Sequence, residues 1–204
     1  MTNKDSQLEV LSAHYSETFS LLKSAVEKRD RLFLYILFVV FSLLLYMNAP
    51  SAMSDWLNSF VSNQAGSDTN GTNATLIDVP FIGAMLLLGL LSLSHTYFQT
   101  VLHVERQYDY VYQLEKQLSK HFDEKAFIRE GKHYRDHRRK FAGWTKIIFW
   151  YLFPLLFLTF NMVWLVFLFT KSQTLITYKI VDSLIIASIL TSMGFYLLAI
   201  IKKK

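Results

Sequence analysis

IIFWYLFPLLFLTFNMVWLVFLF, residues 147–169, carries no charged side chain, and IVDSLIIASILTSMGFYLLAII, residues 180–201, carries a single one, Asp182. About twenty apolar residues in a helix cross a hydrocarbon core of ~30 Å, so both runs read as transmembrane helices. Two shorter apolar blocks precede them, at 32–47 and 79–94. Each reaches spanning length with its flanks, which predicts spans over 32–48 and 79–98. A chain that is 52 % hydrophobic, with mean hydropathy +0.25, could be an apolar globular domain. Confinement of the apolar residues to four blocks argues against that. The expected fold class is all-α: a polytopic membrane protein of four transmembrane helices with long cytoplasmic helical extensions.

Lys and Arg set the expected topology. Residues 1–31 hold five, 49–78 none, 99–146 eleven, 170–179 two and 202–204 three. Nineteen of the 21 therefore share one face if all four blocks span. Cytoplasmic flanks accumulate Lys and Arg, so both termini and the central stretch are expected inside, in a cell inner membrane. The net charge of +5 then describes a basic inner face suited to anionic phospholipid rather than a nucleic-acid signature. Direct binding of nucleic acid is not expected.

The polar segments divide accordingly. Residues 1–31 form an N-terminal amphipathic helix whose stripe Leu8, Leu11, Tyr15, Phe19, Leu22 and Val26 runs on into the first span. A cleaved signal peptide would need a short basic leader; this one has as many acids as bases. Residues 49–78 are Ser-, Asn-, Gly- and Thr-rich, without periodicity, and read as a flexible outer loop, with Trp56 and Phe60 as an interfacial turn. Asn70-Gly71-Thr72 and Asn73-Ala74-Thr75 fit the N-glycosylation pattern, a cheap match in such a loop. Residues 99–146 form a cytoplasmic helical arm with Val104, Tyr108, Val111, Leu114, Leu118 and Phe122 at helical steps, then a basic cluster. Pro154 is expected to kink the third span. Residues 170–179 form a short outer loop and 202–204 an inner tail. Ser183, Ala187, Thr191 and Gly194 give the fourth span a small-residue side for helix contact.

Chemistry-bearing constellations are few. The chain has no cysteine, hence no thiol, Cys-metal or disulfide chemistry. It has no phosphate-cradling glycine loop, nucleophile elbow or HExxH. His133 and His137 have metal-ligand spacing, but Lys132, Arg135, Arg138 and Arg139 surround them and oppose a cation. The patch Lys132, Arg135, Arg138, Arg139 and Lys140 is better suited to anionic headgroups or a partner. His95 and His103 flank the inner end of the second span. A proton relay through them would need intramembrane acids; Asp182, taken with Lys179 near the headgroups, and Asn161 read as interface or helix-packing residues. No enzyme activity, cofactor or metal is expected.

VERQYDYVYQLEKQLS (104–119), FIREGKHY (127–134) and HYSETFSLLKSAVEKRDRLFLYI (14–36) resemble a recurring pattern in small bacterial four-span membrane proteins. The overall plan is similar to membrane components of anti-phage systems, such as the membrane subunit of Kiwa, which is partnered by a soluble protein. The resemblance implies a non-enzymatic sensor or scaffold that recruits a soluble cytoplasmic partner. It carries over no catalytic residues. A pore-forming effector that permeabilises the inner membrane is the alternative. Both arms carry apolar stripes that a bilayer would leave uncovered, so a homo-oligomer, a tetramer or similar, is expected, with Tyr108, Val111 and Leu118 facing Tyr15, Phe19 and Leu22.

Reporter fusions at Gln64, Glu124 and the C-terminus should score outside, inside and inside; an outside score at Glu124 would reverse the topology read from Lys and Arg.

Overall fold

A computed structural model describes residues 3–65, 78–120, 152–170 and 175–202. Five helices account for nearly all of them: α1 (Asn3–Asn48), α2 (Pro50–Ala65), α3 (Val79–Leu118), α4 (Phe153–Thr170) and α5 (Ile176–Lys202), with no strand among the described residues. All but α2 are long and apolar enough to cross a membrane. The protein is an all-α, multi-pass membrane protein.

Helix ends follow local chemistry. Ala49 precedes Pro50, and a residue before proline is pushed out of the α region, so α1 stops at Asn48. The Asn48 amide donates back to the Leu44 carbonyl at 2.8 Å. Pro50 then opens α2, where its missing N–H costs nothing. The Asp78 carbonyl accepts from Phe81 and Ile82, and that of Leu175 from Tyr178 and Lys179, which starts α3 and α5. One expectation changes here. Residues 50–65 are helical rather than loop, with Trp56 and Phe60 stacked 6.0 Å apart on its exposed side. Pro154 is the second residue of α4 and follows the π-helical Leu152; the stretch 147–151, on which the expected kink also depends, lies outside the described residues.

The chain packs as two compact units, Met1–Arg31 with Tyr97–Leu156 and Leu32–Thr96 with Phe157–Lys204. In the first unit, α1 and α3 run antiparallel: His14 meets Tyr110, Tyr15 meets Glu115, and Leu22 joins Val104 and Val111 in an apolar cluster flanked by Tyr15, Ala25 and Val26. The buried positions Val104, Val111 and Leu118 recur every seven residues, the narrow seam of a two-helix contact. Tyr97 packs edge-on against Phe153 with ring centroids 5.2 Å apart.

In the second unit each spanning helix turns one stripe inward: Leu32, Ile36, Leu43 and Tyr46 on α1; Ile82, Leu87 and Leu90 on α3; Phe157, Asn161, Trp164 and Leu168 on α4; and Asp182, Ile186, Ile189, Met193 and Tyr196 on α5. The outward sides are as apolar as the inward ones, with Phe38, Phe41, Leu88, Val166, Phe169 and Phe195 exposed. That inside-out balance is what a lipid-facing bundle requires. The small-residue side of α5 faces inward only in part. Ser183 and Gly194 are half-buried, whereas Ala187 and Thr191 are exposed, because bulkier residues one step away fill the interior.

Gly83 is the close contact of this bundle. A Cβ there would meet the Tyr46 ring and hydroxyl at 3.0–3.2 Å, whereas a Cβ at Gly89 would meet nothing within 4 Å. Gly83→Ala should therefore lower thermal stability in detergent by about 1–3 kcal/mol. Gly89→Ala should leave it unchanged or raised; equal effects would mean that Tyr46 yields freely.

Candidate functional site

Two polar constellations stand out, one in each unit. The first decorates the α1–α3 seam. Tyr15 donates its hydroxyl to Glu115 Oε1 at 3.2 Å, and the Glu115 side chain is buried although it lies within the apolar stripe Val111, Leu114, Leu118. At the preceding residue of α1, His14 Nε2 and the Tyr110 hydroxyl are 2.8 Å apart, with their rings edge to face. Thr18 is buried and returns its hydroxyl to the His14 carbonyl at 2.8 Å. These bonds fix the register of a seam that apolar side chains alone would let slide.

The expected arm residues are placed unevenly. Leu22 and Val111 meet in one cluster, Tyr15 packs on it, and Phe19 stacks on Tyr15 at 6.2 Å. Leu118 is fully buried. Tyr108 corrects the expectation: it is 39 % exposed, on the flank of the seam. Two helices cover a narrower strip than the wide stripe of the sequence pattern implies. Lys132, Arg135, Arg138, Arg139 and Lys140 lie outside the described residues, as do His133 and His137.

The second constellation is inside the membrane-helix unit, near the end where α1 and α4 stop and α3 and α5 begin. Tyr46 is its hub. Its ring stacks on Trp164 with centroids 5.7 Å apart, it fills the space over Gly83, and its hydroxyl lies within the electrostatic reach of Asp182. Asp182 is 4 % exposed and Asn161 is fully buried. Asn161 donates its amide to the Phe157 carbonyl at 2.7 Å, leaving Oδ1 without a partner. Asp182 Oδ1, Ser183 Oγ and Trp164 Nε1 likewise have no hydrogen-bond partner. Buried polar atoms are rarely left so, and an ionisable residue inside a membrane bundle is a functional-site candidate by default. Asp182 keeps the expected place near the end of its span, but its side chain turns into the bundle and makes no ion pair with Lys179. The reason is phase: Asp182 falls on the same α5 stripe as Ile185, Ile189 and Met193.

Sequence reasoning missed Tyr46, Trp164 and Glu115. A signal was present for Glu115, an acid at helical spacing within an apolar stripe, and for Asp182 and Asn161 as the few polar residues of their spans. Nothing marked Tyr46 or Trp164 among so many aromatics. No group of three or more His, Cys, Asp or Glu that could hold a metal exists among the described residues. No protein-family model, curated protein or solved structure matches the chain.

Tyr15→Phe should destabilise the first unit by about 1.5–3 kcal/mol, since it removes a hydrogen bond to a buried carboxylate. The change should appear as faster amide exchange over α1 residues 10–25 and α3 residues 104–118. Unaltered protection there would mean that the bond adds nothing to the seam.

Proposed function

We infer that the protein is a membrane-anchored platform: two of its spanning helices continue into an antiparallel pair whose exposed face docks a soluble cytoplasmic partner. The observation that carries this reading is the pair itself. α1 has 46 residues and α3 has 40, where about twenty suffice to span. The additional turns close on each other through Leu22, Val104 and Val111 and leave Val10, Leu21, Tyr110 and Tyr112 exposed around the pair. Tyrosines on a rigid element supply contact area at low entropic cost, which suits a docking face. The bias of Lys and Arg supports the cytoplasmic side for this face and for both termini, and the basic stretch 132–140 supports contact with anionic phospholipid. The resemblance to membrane components of anti-phage systems agrees with such a role. No enzyme activity is proposed.

The pairing within one chain alters the argument for self-association. Leu22, Val104 and Val111 are already covered, so they no longer require a second copy. What supports an oligomer is α5, whose exposed Ala187 and Thr191 permit close helix approach. The Ser188 and Thr191 hydroxyls there are satisfied on their own helix, at 2.9 and 2.8 Å. We propose self-association through this side, a tetramer or similar ring remaining the simplest closed form.

A photo-crosslinker placed at Tyr112 in cells should trap a soluble protein, whereas one at the lipid-facing Leu88 should not. Reconstituted protein should leave dye-loaded liposomes intact. Dye release, with no adduct at Tyr112, would favour a pore over a platform.

A further inference from the structure

Asp182 is the one acidic side chain in the four apolar runs, and its burial poses a problem of charge. A carboxylate in a water-poor interior needs a compensating positive charge or must be neutralised. Each packed element can be searched for one. On α5 itself, Lys179 lies a turn earlier but makes no ion pair with Asp182, and Tyr178 beside it is uncharged. α1 brings Tyr46, whose hydroxyl senses the carboxylate but carries no positive charge. α3 from Val79 to Leu90 and α4 from Phe157 to Thr170 contain no charged residue, and on α2 Asp55 is exposed. The described residues hold no countercharge.

What the interior of the unit does hold is unpartnered oxygen. Asn161 Oδ1, on a fully buried side chain of α4, has no partner, since the amide of that side chain is committed to Phe157. Ser183 Oγ, next to Asp182, has none either. Carboxylate, amide and hydroxyl oxygens are the hard donors that hold an alkali ion, or share a proton.

We propose that the buried Asp182 carboxyl takes up one monovalent cation inside the bundle, either a proton or an alkali ion, with the unpartnered oxygens of Asn161 and Ser183 as its candidate further donors. The site lies in the membrane-helix unit, on helices that run from one face of the bilayer to the other, and it does not depend on the platform reading. Its occupancy sets the charge inside the bundle and hence how tightly the four helices close around Tyr46.

The test uses purified full-length protein in detergent, exposed to dicyclohexylcarbodiimide, which attacks protonated carboxyls in apolar surroundings. Peptide mass spectrometry should find the adduct at Asp182, declining as pH rises, and none at that position in Asp182→Asn. Protection by sodium or lithium at fixed pH would assign an alkali ion; dependence on pH alone would assign a proton. Thermal unfolding should shift with pH or sodium in the parent and lose that dependence in Asp182→Asn. Asn161→Val, which leaves the acid in place, should weaken the same dependence, and it preserves the test if Asp182→Asn fails to fold. Absence of both the adduct at every pH and any ion- or pH-dependent shift would overturn the proposal.

Discussion

Hydrocarbon offers no partner to a backbone amide or carbonyl, and each one left bare costs several kcal/mol. Almost everything else follows from that constraint. It forces the four apolar runs into helices, and it places the breaks at Ala49–Pro50 and around Asp78 and Leu175, where carbonyl caps or proline chemistry satisfy the ends. It also explains why buried hydroxyls such as those of Ser42 and Ser94 turn back to carbonyls of their own helix. With backbone demands met inside each helix, helix–helix contact is left to side chains.

The two units answer that demand differently. In the first, apolar residues at seven-residue steps meet along a seam, and two polar pairs, His14–Tyr110 and Tyr15–Glu115, set its register. In the second, lipid competes for every apolar surface, so shape matters more than hydrophobicity. Gly83 admits the Tyr46 ring, and Tyr46 in turn stacks on Trp164. Around this contact the bundle buries Asp182 and Asn161 with oxygen atoms unpartnered. A bundle needing only stability would use apolar residues of similar volume at these places. These buried, unpartnered oxygens are the basis of the cation site proposed above.

Much of the fold was legible because transmembrane spans are written in composition: long uncharged runs flanked by Lys and Arg need no tertiary knowledge. The seam residues Leu22, Val104 and Val111 were legible from helical spacing for the same reason. Helix α2 was not, because Pro50–Ala65 mixes Ser, Asn and Ala with scattered apolar residues and gives only a faint periodic signal. Tyr108 illustrates the limit of periodicity. Spacing names a face of a helix, but the width of that face depends on how many neighbours cover it, and here one helix covers a narrow strip.

The amino-acid sequence by itself determined the number of spans, the helical class and the absence of cysteine chemistry, since these depend on local composition and the solvent it selects. Only the tertiary structure decided which side of each spanning helix turns inward. All sides of such helices are apolar, so no amphipathic pattern points the way, and the choice falls to close packing between distant segments. That choice turned the Asp182 carboxyl into the bundle and put Ala187 and Thr191 on the outside.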